Sequence, residues 1–315
     1  MTEENMFLEP IAQPESGRLG RALREETTGG LLLISVSLVA LLVANSPLKN
    51  FYNDLVNYKF GPESLHLHLS VNHWAADLLL AVFFFVVGNE LKHEMISGSL
   101  ADPREALVPI IAAVSGMAMA AAIFLSFNNG GPASGAWGIP ISTDVAFALA
   151  VLAIAGSGLP LELRSFLLTV AVVNDLCAII VIAVFYDQGF DAKAFLLAGL
   201  FIAMFAILQI KGITHLWLAL PAAILAWYWM YQSGIHATIA GVALGLAMNH
   251  KKVEGKTESI AERADHFFRP ISAGICVPIF AFCSIGIAID SSGITQTLTS
   301  PVTCGILFGL ILGQP

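Results

Sequence analysis

The sequence predicts an all-α polytopic membrane protein, and three observations carry that prediction. Hydrophobic residues fill 57% of the 315 positions and charged residues only 12%, against about a quarter charged in soluble domains. The apolar residues come in long runs, and about 20 helical residues cross a bilayer core of roughly 30 Å. One stretch, Gly138 to Tyr186 (GIPISTDVAFALAVLAIAGSGLPLELRSFLLTVAVVNDLCAIIVIAVFY), holds two such runs with an acid in the middle of each, Asp144 and Asp175.

Taken in order, residues 1–28 form a polar tail of mixed charge without the apolar core of a cleavable signal peptide. Residues 29–315 read as one membrane domain that begins with a first segment at 29–45. Residues 46–70 alternate in short stretches around Gly61-Pro62 and predict a small β-hairpin at the membrane surface. Further apolar segments follow at 71–91, 104–127, 134–157, 161–186, 192–211, 213–230, 233–248, 266–289 and 299–315, ten with the first. The chain stops at Gln314-Pro315 inside an apolar run, which reads as a chain cut within its tenth segment.

Charge sets the orientation, because cytoplasmic loops hold most Lys and Arg. With the N-terminus inside, twelve basic residues fall on inner stretches and three, Lys49, Lys59 and Lys193, on outer ones. The net charge of −8 lies largely in the tail and in buried acids, and no basic patch suits a nucleic acid. Cys177, Cys276, Cys283 and Cys304 all fall in apolar segments without metal-ligand spacing and read as packed free thiols.

Asp175 sits ten residues from either end of the run Ser165–Phe185, close to the bilayer midplane. A charge there costs from about 2.5 kcal/mol to 10 or more depending on the scale, so such acids mark ion or proton paths. Pro140 removes a backbone donor inside the neighbouring run, so that helix breaks near 139–143 and restarts at Asp144, capped by Thr143 or Asp144. A half-helix start carries a partial positive charge that an aspartate offsets. From the residues alone a structural acid at Asp175 and a plain cap at Asp144 stay open. Asn174 reads equally as a bridge between helices, and Asp77, close to a helix start, as structural.

Four stretches in this order, WAADLLLAVFFFVVGNELKHEMISGSL, GIPISTDVAFALAVLA, VNDLCAI and SGIHATIAGV, resemble the NhaA-type sodium–proton antiporters of bacterial inner membranes. The resemblance covers roughly residues 26–315. It implies an inverted-repeat antiporter fold with discontinuous helices, about ten of an expected twelve transmembrane segments being present. It implies no cofactor, with Na+ (or Li+) and H+ as the transported ions and a multi-pass inner-membrane location. Asp175 then matches the cation-binding and proton-exchanging aspartate, Asp144 the residue that balances the dipoles of crossed broken helices, and Thr143 and Asn174 their neighbours. Glu90, His93, Glu94, His236, Asp265 and His266 match positions used for pH response, and Arg269 stands where the family often has a histidine. The segment 49–70 resembles a dimer contact, which implies a homodimer.

Two departures bear on mechanism. The family's paired aspartates are here Asn174-Asp175, and the lysine of its tenth helix is here Gln314. Losing an acid and its basic partner together leaves no buried charge uncompensated, which predicts electroneutral exchange of one proton per cation. An intramembrane aspartyl protease using Asp144 and Asp175 is the enzymatic alternative, but its second acid belongs in a GxGD context and here reads VVND. A third reading, a transport-incompetent fragment, follows from the absent second crossing helix.

Overall fold

The computed structural model describes residues 26–98, 100–141, 161–185, 189–213, 215–252, 258–287 and 298–314. The chain divides into two compact units, residues 1–93 with 187–287 and residues 94–186 with 288–315.

The first unit opens with helix α1, Glu26–Ala44, whose leucines at 31, 38 and 42 are exposed as lipid-facing residues are. Ser35 and Ser37 satisfy their hydroxyls on the carbonyls of Leu31 and Leu33, one turn back, so polar side chains cost little there. After a bend of 116° comes α2, Lys49–Asn57. The sequence expectation of a hairpin over 46–70 is corrected here. Residues 49–57 are helical because Tyr52 and Val56, four apart, form one buried face, and the Tyr52 hydroxyl donates to the carbonyl of Phe282. The hairpin is confined to β1, Lys59–Phe60, and β2, Leu69–Ser70, paired antiparallel with Lys59 opposite Ser70.

Ser70 then caps α3, Val71–Ser97, by accepting from the backbone N–H of His73. One π turn at Ala75–Leu79 displaces the ladder, and the indole of Trp227 donates to the carbonyl of Asp77 at 2.9 Å. Helices α6, Ala192–Ile210, and α7, Leu216–Gln232, pack through Phe205, Ala222 and Ala226 against α8, Thr238–Ala247, and α9, Ile260–Ile285. Ser259 and Glu262 cap the start of α9 reciprocally. Small residues let α3 and α8 meet backbone to backbone. A Cβ on Gly88 would run into the Val242 carbonyl, and one on Gly245 into the Phe85 carbonyl and to 2.7 Å from the Asn89 nitrogen.

The second unit is built from α4, Pro103–Asn128, α5, Leu161–Phe185, and α10, Pro301–Gly313. Asp102 and Ser300 cap α4 and α10, each followed by a proline in the first turn. Helix α10 lays Gly305, Gly309 and Gly313 against α4, and Asn128 on α4 donates to the carbonyl of Pro301. The expected half-helix before Pro140 is instead two short 3-10 turns, Ser134–Ala136 and Ile139–Ile141. The proline has no N–H for an α-ladder and the flanking glycines at 135 and 138 disfavour helix. The restart expected at 142–157 lies outside the described residues.

Among the described residues, Val71–Ser97, Ala106–Asn128, Ala192–Ile210 and Ile260–Ile285 are each long and apolar enough to cross a membrane. The protein is a multi-pass helical membrane protein. Because α3 and α8 have no room between their backbones, Gly245→Ala is expected to cost about 1–3 kcal/mol, as overpacked cores do. Gly199→Ala on α6, where an added Cβ meets nothing within 4 Å, is expected to be neutral. Thermal unfolding of the two variants in detergent checks the pair, and equal melting points would contradict the close approach.

Candidate functional site

In the second unit, α5 carries the two central polar residues side by side. Asn174 is buried at 5% exposure and Asp175 is half-buried. Thr169, one turn and a half earlier, is buried as well. Both Asn174 and Asp175 are partnered. Thr143 and Asp144, which the sequence placed in the same site, lie outside the described residues.

What the structure does describe is the turn that leads into them. Pro140 and Ile141 are buried, Ile141 at 1% exposure, and Ile141 packs with Met117 on α4 and Ala178 on α5. Trp137, Ile141 and Cys177 help to line a cavity of about 330 Å³ between these elements. Its wall is apolar apart from the Cys177 thiol, so the cavity itself offers no cation ligands. Cys177 is two residues beyond Asp175, about 3 Å along the helix axis, so the turn at 139–141 meets α5 close to the height of the acid. Gln314, at the end of α10, donates its side-chain amide to the carbonyl of Ile141 at 2.5 Å. The sequence singled out Gln314 as a lost charge; this contact to the break had no signal in it.

The first unit gathers the residues that the resemblance linked to pH response. Arg269 on α9 makes a bidentate pair with Asp265, at 2.8 and 3.2 Å, and lies 3.4 Å from Glu90 on α3. An arginine keeps its charge at all relevant pH, so the basic side of this bridge between two carboxylates does not titrate. His93 stacks on His250, ring centroids 5.9 Å apart. Lys92 reaches past them and donates to the carbonyl of Met248, the C-cap of α8. His266 instead faces outward, 3.8 Å from Glu258 with both side chains about half exposed. Glu94 belongs to the second unit. His236 lies within electrostatic range of Asp77, a proximity between two residues 159 positions apart that spacing alone does not reveal.

His250 is the member of this group that the sequence reading missed. Its ring nitrogen Nε2 is buried without a hydrogen-bond partner among the described residues. Burial pushes the imidazole below its ordinary value, and the charges of Lys92 and His93 push the same way against Glu262 and Asp265. No group of three or more His, Cys, Asp or Glu side chains able to hold a metal occurs among the described residues.

Several apolar helices long enough to cross a bilayer define a class, the multi-pass helical membrane proteins. The sequence profile of the family described as Na+/H+ antiporter 1 matches residues 20–315. The chain is 46% identical to the Na(+)/H(+) antiporter NhaA of Streptomyces avermitilis, over 99% of this chain and 68% of that protein. It is 46% identical to the Na(+)/H(+) antiporter NhaA 3 of Streptomyces coelicolor, over 96% of this chain and 65% of that protein. It is 48% identical to the Na(+)/H(+) antiporter NhaA of Mycolicibacterium smegmatis, over 96% and 70%. This chain belongs to the Na+/H+ antiporter 1 family, whose named relatives are transporters and not enzymes. It spans between 65 and 70% of the length of these three relatives.

A lowered folded-state value means that the unfolded chain binds the His250 proton first. Stability contributed by neutral His250 is therefore complete above the ordinary imidazole value of 6.5 and lost as the pH falls below it. Melting points measured from pH 7.5 down to 5.5 are expected to fall, and His250→Phe, which keeps a ring on His93, is expected to flatten that slope. An unchanged slope would contradict the assignment.

Proposed function

We propose that the protein exchanges cytoplasmic Na+ (or Li+) for external H+ in the inner membrane, its N-terminus on the cytoplasmic side. The observation that carries this reading is Asp175, half-buried at the centre of apolar helix α5 beside the broken segment at Pro140. A carboxylate in such a place favours its neutral state, reached either with a proton or with a bound monovalent cation. One carboxylate cannot hold both. If the protonated and the cation-loaded forms cross in opposite directions by alternating access, antiport follows. Asp144 and Thr143 would contribute a cap and further oxygen ligands from the restarted half-helix.

Both loaded states of this site carry the same charge, since Asn174 and Gln314 are neutral. Exchange is therefore electroneutral, one H+ per cation. Glu90, His93, Glu94, His236, Asp265 and His266 set the pH at which the carrier works, with Arg269 bridging two of those acids. The inverted repeat and a homodimer through residues 49–70 belong to the same reading. It takes support from family membership, from the close contact of Ile141 with α5, and from the printed names of the relatives.

In proteoliposomes a Na+ gradient directed outward is expected to acidify the lumen and one directed inward to alkalinise it, and Asp175→Asn to reduce that exchange to the level of protein-free vesicles. An imposed potential of about 100 mV acts with about 2.3 kcal/mol on each charge moved, so a carrier moving net charge would respond strongly. The rate here is expected to stay unchanged. Retained exchange in Asp175→Asn would sink the site assignment, and a potential-sensitive rate would sink electroneutrality.

A further inference from the structure

Helix α2 leaves part of its apolar surface uncovered, and the order of its residues identifies what lies against it. At about 100° per residue its side chains fall into three sectors. Tyr52 and Val56 form the first and are buried. Lys49, Asn50, Asn53, Asp54 and Asn57 form the second, polar and exposed. Leu48 just before the helix, Phe51 and Leu55 within it and Tyr58 just after it form the third, and these four are between 42 and 65% exposed. That third sector is about 80° wide, and its middle stands about 150° from the middle of the polar one. Water on both free sides would give no reason for such segregation. A helix lying in a membrane surface requires it, with protein at its side, water above and lipid below.

Direction and depth agree. The bend of 116° turns α2 to within about 30° of perpendicular to α1, little more than the ordinary tilt of a membrane helix, about 20°. Its buried face packs on Ala40 and Ala44 at the end of α1, Ala75 near the start of α3 and Cys283 near the end of α9. Each of these lies within about five residues, or 7 Å, of its helix end. Helix α2 therefore sits where three apolar helices finish, and in-plane helices bury their apolar face about 5–10 Å. Leu42, two residues from the end of α1, is 70% exposed, so lipid-facing surface reaches the bend. Aromatic rings mark the same level. Tyr58 stacks on Phe60 and Phe60 on Trp74, whose indole donates to the Phe60 carbonyl, and Tyr and Trp collect at membrane–water interfaces.

We propose that α2 is an in-plane membrane helix: Leu48, Phe51, Leu55 and Tyr58 insert into the headgroup–acyl boundary of the phospholipid leaflet at which α1 ends. This goes beyond the antiport reading and holds whichever ion is carried. Within the segment 49–70 it gives the helical part to lipid and leaves β1 and β2 for a second copy of the chain. Lys49 and Asp54 cancel in the polar sector, so apolar burial, and not attraction to anionic lipid, holds the helix down.

Spin labels on single cysteines test this in vesicles of phosphatidylethanolamine and phosphatidylglycerol, in a background of Cys177→Ala, Cys276→Ala, Cys283→Ala and Cys304→Ala. Phe51→Cys and Leu55→Cys probe the apolar sector, Asn50→Cys and Asp54→Cys the polar one. Oxygen concentrates among acyl chains and a water-soluble nickel chelate outside them, so the ratio of their relaxation effects reads depth. That ratio is expected to be several-fold higher at 51 and 55 than at 50 and 54. Equal ratios at the four positions would overturn the proposal. So would labels at 51 and 55 that neither reagent reaches and that broaden one another between chains, the sign of a second copy on this face. Cys283 packs beneath α2, so a second measurement covers a cysteine-free chain that does not accumulate as folded protein. Phe51→p-benzoylphenylalanine in the otherwise native chain is then irradiated in the same vesicles, and a phospholipid adduct is expected. A cross-linked dimer, or no lipid adduct, would overturn the proposal.

Discussion

An ionisable carboxylate in the middle of an apolar helix is the constraint on which the rest of this structure depends. A carboxylate placed like Asp175, half-buried on an apolar helix, is tolerated away from water only if its charge is discharged by a proton, a cation or oriented dipoles. A continuous helix beside it has no backbone groups to offer, since each is spent on its own ladder. A broken one has. Pro140 has no N–H to give to an α-ladder, and the short turn at 139–141 packs against α5 near the acid. The surrounding helices then have to hold an intrinsically weak turn, and they do so by close approach, through the glycine face of α10 against α4 and the amide of Gln314 on Ile141.

The first unit solves a related problem at the ends of its helices. Glu90, Lys92, Asp265 and Arg269 bring four charged groups to the region where α3, α8 and α9 meet, and three of them are joined by the Arg269 bridge. Lys92 is spent on a helix C-cap. The arginine places a group of fixed charge in the cluster, in the same unit as the stacked pair His93 and His250. The same unit carries a half-buried acid, Asp77, on a π turn where the Trp227 indole donates to its carbonyl, with His236 in electrostatic range.

Much of this was legible in the chain. Composition and run lengths pointed to a multi-pass helical membrane protein, because hydropathy and helix length are local properties of sequence. The hairpin boundary was misread because the pattern KNFYNDLVN suits a strand or a short helix equally, and the choice was made by Tyr52 reaching Phe282, 230 residues away. His250 was missed for the same kind of reason: it lies in a polar loop and meets groups far from it in sequence, among them His93 and Lys92 on α3. The partner of Gln314 was likewise beyond reach, since a glutamine at a helix end says nothing about which carbonyl it meets.

The central claim is that a cation and a proton compete for Asp175. Titration calorimetry of Na+ binding to the purified chain in detergent, repeated across pH, tests it most directly. Competition for a single carboxylate predicts that apparent Na+ affinity falls about tenfold per pH unit once the acid begins to protonate, with one proton released per ion bound. An affinity independent of pH, or binding that releases no proton, would contradict it.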